Sequence, residues 1–262
     1  MHLKNLYFTL EEQKLKLKSY KTSSSLHHRT LYLIALFLWT FLAIPYKLLF
    51  NPKYRSMIWL KYTNSHEAHQ ISNYTEYNRY PDLFSKCKEL MNEKKNLKIL
   101  SYGCSTGEEV FTLREYFPDA SIVGVDINKG NIKKAISQNK DHKIVFSYEI
   151  EKTLIENGDF DMIFALAVFQ RTKNRDEKTF NSSTIYPFEK FNHKITELDS
   201  HIKPKGLFVR DHADYFFEDT EVASYYHTLK GEHNIIRERY MFDKNNQKLE
   251  NYIMHHRIFI KK

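Results

Sequence analysis

Leu97–Asp126 reads LKILSYGCSTGEEVFTLREYFPDASIVGVD, and this stretch decides the fold. A short apolar run (Ile99, Leu100) breaks into Gly103-Cys104-Ser105-Thr106-Gly107, helix formers follow from Glu108 to Tyr116, and a second apolar run, Ile122 to Val125, ends on Asp126. The order is strand, glycine turn, helix, strand, carboxylate. Two glycines let a ligand approach the backbone closely. The helix start offers unpaired N–H groups and partial positive charge. An acid about 20 residues beyond such a turn is where a doubly wound sheet binds ribose hydroxyls. The stretch predicts a site for a nucleoside-containing cofactor.

The dinucleotide fingerprint G-x-G-x-x-G does not fit the spacing Gly103-x-Ser105-x-Gly107. Glu108 and Glu109 at the helix start suit a cationic amine better than a pyrophosphate. S-adenosylmethionine carries an amine and a sulfonium and no phosphate.

Here the chain resembles the class I S-adenosylmethionine-dependent methyltransferases, and its G-C-S-T-G-E-E turn looks most like that of the chemoreceptor glutamate methyltransferases. Phe160-Asp161-Met162-Ile163-Phe164 resembles the family's fourth strand. His201 to Val209 (HIKPKGLFV) resembles its L-K-P-G-G turn into the fifth, with Lys205 in place of one glycine. The resemblance covers roughly Lys98 to Lys262. It implies an α/β, Rossmann-like seven-stranded sheet, mostly parallel with one antiparallel edge strand; the hydropathy of the chain itself places an apolar N-terminal helix before it. The resemblance also implies a cofactor-binding set of Gly103, Cys104, Ser105, Gly107, Glu108, Glu109, Asp126 and Ile127. In that set Gly103, Ser105 and Gly107 would line the methionine end, Glu109 would help hold the cofactor, and Asp126 would take the ribose. Many members carry an acid two residues before the first glycine. This chain has Ser101, for which Glu108 and Glu109 would compensate.

The same residues also satisfy G-x-S-x-G, the nucleophile elbow of α/β-hydrolases, with Asp211 and His233 available for a triad around Ser105. That alternative gives no reason for Asp126 to end the next strand, nor for the K-P-x-G turn, and ranks below methyl transfer. A non-catalytic, cofactor-binding, membrane-tethered scaffold is the other alternative.

Composition narrows the class. The chain has 262 residues, with 42% hydrophobic and 15% aromatic, ample for a packed core. Its two cysteines, Cys87 and Cys104, fit a reducing compartment. No Cys/His spacing suggests a metal site. The formal charge of +8 is uneven: residues 1–65 hold 10 Lys/Arg against 2 Asp/Glu, and residues 66–262 hold 30 of each. A neutral catalytic portion makes nucleic acid an unlikely partner, because such domains carry a basic face.

Residues 1–65 form a basic segment, and residues 66–262 the methyltransferase domain. Within the first, Leu31 to Phe50 is interrupted only by Lys47 and flanked by Lys14, Lys16, Lys18, Lys21 and Arg29 before, and by Lys53, Arg55 and Lys61 after. About 20 apolar residues span a bilayer, and Lys47 can snorkel. The expectation is a membrane-embedded anchor with the catalytic domain in the cytoplasm, where S-adenosylmethionine is made. The alternative is a cytoplasmic protein whose apolar helix folds over its own domain.

Elsewhere, Asn64 to Glu93 reads as a polar linker region with a helix from Pro81 to Met91, and Tyr74, Tyr77 and Tyr80 recur at three-residue spacing. Helices are expected at Lys129–Asn139 and Phe188–His201, strands at Lys143–Tyr148, Asp161–Ala167 and Leu207–Asp211, and a closing antiparallel pair at Ile235–Phe242 and Tyr252–Ile260. Ligands bind outside the carboxyl ends of such strands. His212, just past strand five, is therefore the candidate catalytic base. No D/N-P-P-Y tetrapeptide follows strand four, which disfavours nucleobase or glutamine N-methylation. The methyl acceptor is not legible.

Overall fold

The structure, a computed structural model, describes residues 17–63, 67–70, 72, 74–171, 179–231, 235–236, 240–250 and 254–262. The chain divides into two compact units, which part between Trp59 and Leu60.

In the first unit a 3-10 turn (Leu17–Thr22) leads to α1 (Leu26–Leu38), a π-helical turn (Trp39–Ala43) and α2 (Ile44–Phe50). α3 (Pro52–Thr63) follows. Pro45 explains the π turn: proline lacks an N–H and its ring crowds the carbonyl four residues back, so the helix widens just before it. Leu26–Phe50 is a 25-residue helical run, long and apolar enough to cross a bilayer. Ala43 is its one buried residue, and Leu33, Phe37, Phe41, Leu49 and Phe50 are exposed.

The second unit is built on a seven-stranded sheet, ordered β3-β2-β1-β4-β5-β11-β6. Its strands are β1 (Lys98–Tyr102), β2 (Ser121–Val125), β3 (Ile144–Ser147), β4 (Phe160–Leu166), β5 (Ile202–Asp211), β6 (Tyr226–Thr228) and β11 (Ile258–Lys261). β1 to β5 pair in parallel. β11 is antiparallel to β5 and β6, so the short β6 forms the rim. The helices are α4 (Pro81–Leu90), α5 (Glu108–Tyr116), α6 (Lys129–Gln138), α7 (Ile150–Asn157) and α8 (Phe188–Asp199).

The sheet is covered on both faces, and the period-2 alternation of its strands says how. Ile99, Ile122, Met162, Phe164, Leu207 and Val209 face Leu83, Phe84, Val110, Leu113 and Ile132 of α4, α5 and α6. Leu100, Val123, Ile163, Ala165 and Phe208 face Leu154 of α7 and Phe191, Ile195 and Leu198 of α8. With neither face exposed, β4 is buried from end to end.

The closing antiparallel pair differs from the sequence expectation. Ile235–Ile236 (β7) pairs with Met254–His255 (β10), and Met241–Phe242 (β8) with Lys248–Leu249 (β9), in two separate ribbons. The sheet itself closes through β11 and Tyr226–Thr228. A three-residue Tyr-His-Thr strand is too short to show alternation, and its pairing is fixed by distant contacts. Residues 237–239 and 252–253 of the expected pair lie outside the described residues.

Candidate active site

β1 runs out at Tyr102 and the chain turns sharply. Gly103 has φ +80°, and a Cβ there would lie 2.4 Å from Val168 Cγ2. Ser105 follows at φ +51°, and Gly107, the N-cap of α5, at φ +96°. The turn hangs on the neighbouring strand: Gly103 N and Cys104 N donate to Val125 O at 2.8 and 3.0 Å. Asp126 then ties the two loops together. Its Oδ2 accepts from Ser105 N at 2.8 Å and its Oδ1 from Asn128 N at 2.7 Å. Burial holds its carboxyl up at about 6, against those hydrogen bonds. Each carboxylate oxygen has two lone pairs, so both retain capacity for a ribose hydroxyl.

Glu109 lies on the first turn of α5, where its Oε1 accepts from Ser101 Oγ at 2.7 Å. Burial raises its pKa to about 7, opposed by that hydroxyl and by the Arg79 guanidinium. A carboxyl so desolvated gains its charge readily only beside a cation.

Two adjoining cavities receive these groups. The larger, about 650 Å3, is of small-molecule size. It opens at the carboxyl ends of β1, β2 and β4 and is lined there by Tyr102, Gly103, Ser105, Asp126, Ile127 and Leu166. The smaller, about 30 Å3, is lined by Glu109, Cys104, Arg79 and Tyr80. Both share Tyr74, Gly103, Ser105 and Leu166. The residues present fit S-adenosylmethionine: Asp126 would hold its ribose, the glycine turn its methionine portion, and Glu109 its ammonium.

Six of the eight sequence-predicted cofactor residues thus line one or other cavity. Glu108 and Gly107 line neither. The Glu108 carboxylate accepts from Thr106 Oγ1 at 2.8 and 2.6 Å and closes the turn. Gly107 is required by its backbone and by Phe111 and Phe146, 3.0 and 3.1 Å from an added Cβ. Cys104 is buried, which raises its thiol pKa. Tyr74 and Tyr80 wall the smaller cavity, and Tyr77 does not.

His212 lies at the end of β5 with φ +50°. Its Nδ1 is 3.2 Å from Tyr80 Oη and 3.4 Å from Asp211 Oδ1. It lines neither cavity, although Tyr80 connects it to the smaller one. Sequence reasoning missed a second group at the far wall of the large cavity: His69, Lys190, His193 and Lys194. His69 sits in a polar run without periodicity, and the α8 residues look like an ordinary solvated helix face.

The sheet order, with one antiparallel strand beside the last, and the glycine turn facing an acid at the end of β2 define a class I methyltransferase fold. A family model of the methyltransferase domain matches residues 93–254, more than half of the chain, and the chain belongs to that family. The methyl donor of the class is S-adenosylmethionine. The hydrolase alternative for Ser105 falls with this match, and its His233 lies outside the described residues.

Among curated relatives, a malonyl-[acyl-carrier protein] O-methyltransferase of Acetivibrio thermocellus is 27% identical over 140 residues, covering 48% of this chain and 49% of the relative. A trans-aconitate 2-methyltransferase of Deinococcus radiodurans is 26% identical over 102 residues, covering 37% and 38%. The chain thus spans about half or less of the length of the curated relatives it matches. Among solved structures, the plantazolicin methyltransferase BpumL in complex with SAH is 15% identical, with TM-score 0.37, covering 80% of this chain and 62% of that one. SAM-bound CalS10, an amino pentose methyltransferase from Micromonospora echinaspora, is 12% identical, with TM-score 0.39, covering 55% and 53%.

Proposed function

We propose that this chain transfers the methyl group of S-adenosylmethionine to an acceptor entering the large cavity, and that Leu26–Phe50 holds the enzyme at a membrane with its catalytic unit on the cytoplasmic side. The observation that carries the first part is the placement of Asp126 and Glu109 on either side of one glycine turn. Bound there, the cofactor would present an electrophilic methyl carbon on sulfur. The chain's own work is to anchor the ribose through Asp126 and the ammonium through Glu109, so that the methyl group is aimed at the acceptor. In-line positioning of this kind is a large source of acceleration for such a displacement. The chemoreceptor-like G-C-S-T-G-E-E turn supports the role given to Glu109. His212, reached through Tyr80, remains the proposed base for an acceptor that must lose a proton.

The membrane reading rests on exposed apolar side chains along α1 and α2, with basic residues at both ends of the run. A cytoplasmic protein is the alternative.

Incubation of the protein with methyl-labelled cofactor and a cell extract tests the activity. Label in an extract component, dependent on Asp126, is the expected result. Tight cofactor binding with no label transferred would favour the scaffold.

A further inference from the structure

The far wall of the large cavity is organised around His69. Its Nδ1 lies 2.6 Å from Tyr186 Oη, and both residues are buried. The backbone beside it is pinned by two cations: Ala68 O accepts from Lys190 Nζ at 2.9 Å and from Arg171 Nη2. The ring packs edge-on against Phe169 and against Tyr102, which leads into the glycine turn. His69, Lys190 and Lys194 therefore share one cavity with Gly103 and Asp126.

The hydrogen-bond network assigns the histidine tautomer. A buried phenol needs an acceptor for its proton. Among the described residues the partner of the Tyr186 hydroxyl is His69 Nδ1. Nδ1 then accepts, and Nε2 carries the ring proton. The ring is also neutral: burial lowers its pKa well below the usual value, and Lys190, Lys194 and Arg171 lower it further. Among the described residues, the charged groups that bear on the ring are Lys190, Lys194 and Arg171. The acids Glu67 and Glu197 line the same cavity, and Glu197 is paired with Lys194.

We infer that His69 and Lys190 form the acceptor subsite, and that the acceptor presents a carboxylate to it. This rests on the methyltransferase reading above. A neutral Nε2–H donor beside the Lys190 ammonium recognises an anion. The same donor cannot act as a base, because its outward nitrogen is already protonated and its inward one is occupied. An alcohol or amine acceptor would find no base in His69. A carboxylate needs none: a lone pair on its oxygen forms the new C–O bond, the C–S bonding pair returns to sulfur, and no proton moves. The products are a methyl ester and the thioether S-adenosylhomocysteine.

The test uses the full-length protein with methyl-labelled cofactor and a cell extract. Methyl esters release methanol in mild alkali, whereas N-methyl groups, ethers and methyl phosphates keep their label. The expected result is that most transferred label becomes volatile methanol. His69→Phe and Lys190→Met should each cut the rate at limiting extract at least 10-fold, with S-adenosylhomocysteine affinity changed less than twofold. Independently of turnover, nitrogen-15 spectra should show His69 as the neutral Nε2–H form from pH 6 to 8, and Tyr186→Phe should remove that preference. Alkali-stable label, or an Nδ1–H or charged His69, would overturn the inference, whereas no label despite bound S-adenosylhomocysteine would favour the scaffold and remove the transferase reading on which the inference rests. Failure to bind S-adenosylhomocysteine at all would instead overturn the methyltransferase reading.

Discussion

Ser101 Oγ donates to Glu109 Oε1 at 2.7 Å, across the turn from the end of β1 to the start of α5. Where many relatives of this fold are expected to carry an acid on the strand, this chain carries a serine that positions a carboxylate from the helix. Glu109→Gln should therefore weaken S-adenosylhomocysteine binding by about 1.5–3 kcal/mol, the order for a hydrogen bond to a charged group. Ser101→Ala should cost less, since it removes only the orienting hydroxyl. Equal affinities for wild type and Glu109→Gln would remove Glu109 from the site.

The raised carboxyls predict a pH dependence. Glu109 titrates near 7 and Asp126 near 6, both above their ordinary range because of burial. The folded chain thus holds more protons than the unfolded one between about 4 and 7. Their contribution to stability is present at low pH and is lost as pH rises through those values. Cofactor binding has the opposite slope, because the ammonium needs Glu109 charged. Calorimetry from pH 5.5 to 8 should show affinity rising with pH and protons released below 7. A flat profile would contradict the assignment.

Gly103→Ala should destabilise the protein, since a side chain meets both an unfavourable φ and Val168 Cγ2 at 2.4 Å. Paired with Val168→Ala, the loss in thermal midpoint should shrink without disappearing, because the smaller neighbour relieves the clash and not the φ. Complete recovery would mean that the backbone conformation is unimportant here.

Much of this site was legible in the chain because its signals are local. The turn, Asp126 and the flanking strands fall within 30 residues, where glycine spacing and period-2 apolar runs translate directly into geometry. Glu108 misled, because adjacent acids at a helix start look alike until Thr106 is seen to engage one of them. β6 and the acceptor wall were hidden for a different reason. His69 meets Tyr186 across 117 residues, and β6 is defined by its pairing with β11. No periodicity records such a meeting.

Ser105→Ala should still bind cofactor, because Ser105 contributes its backbone N–H to Asp126 and its side chain is buried. A serine-directed phosphonate should leave Ser105 unlabelled. Stoichiometric labelling would restore the nucleophile-elbow reading.

Full-length protein should sediment with membranes and resist both high salt and carbonate, because salt screens surface charge within about 10 Å at 0.1 M but leaves apolar burial intact. A shortened chain beginning near residue 65 should be soluble and bind S-adenosylhomocysteine. If that chain aggregates while full-length protein is soluble without detergent, the apolar helix covers the domain instead and the enzyme is cytoplasmic.

The most direct measurement is a calorimetric titration of the wild-type protein and Asp126→Ala with S-adenosylhomocysteine, and of the wild type with NAD. The account predicts binding of S-adenosylhomocysteine, none of NAD, and a loss of about 1–3 kcal/mol in the variant. Binding of NAD without response to S-adenosylhomocysteine, or an Asp126→Ala protein with undiminished affinity, would contradict it.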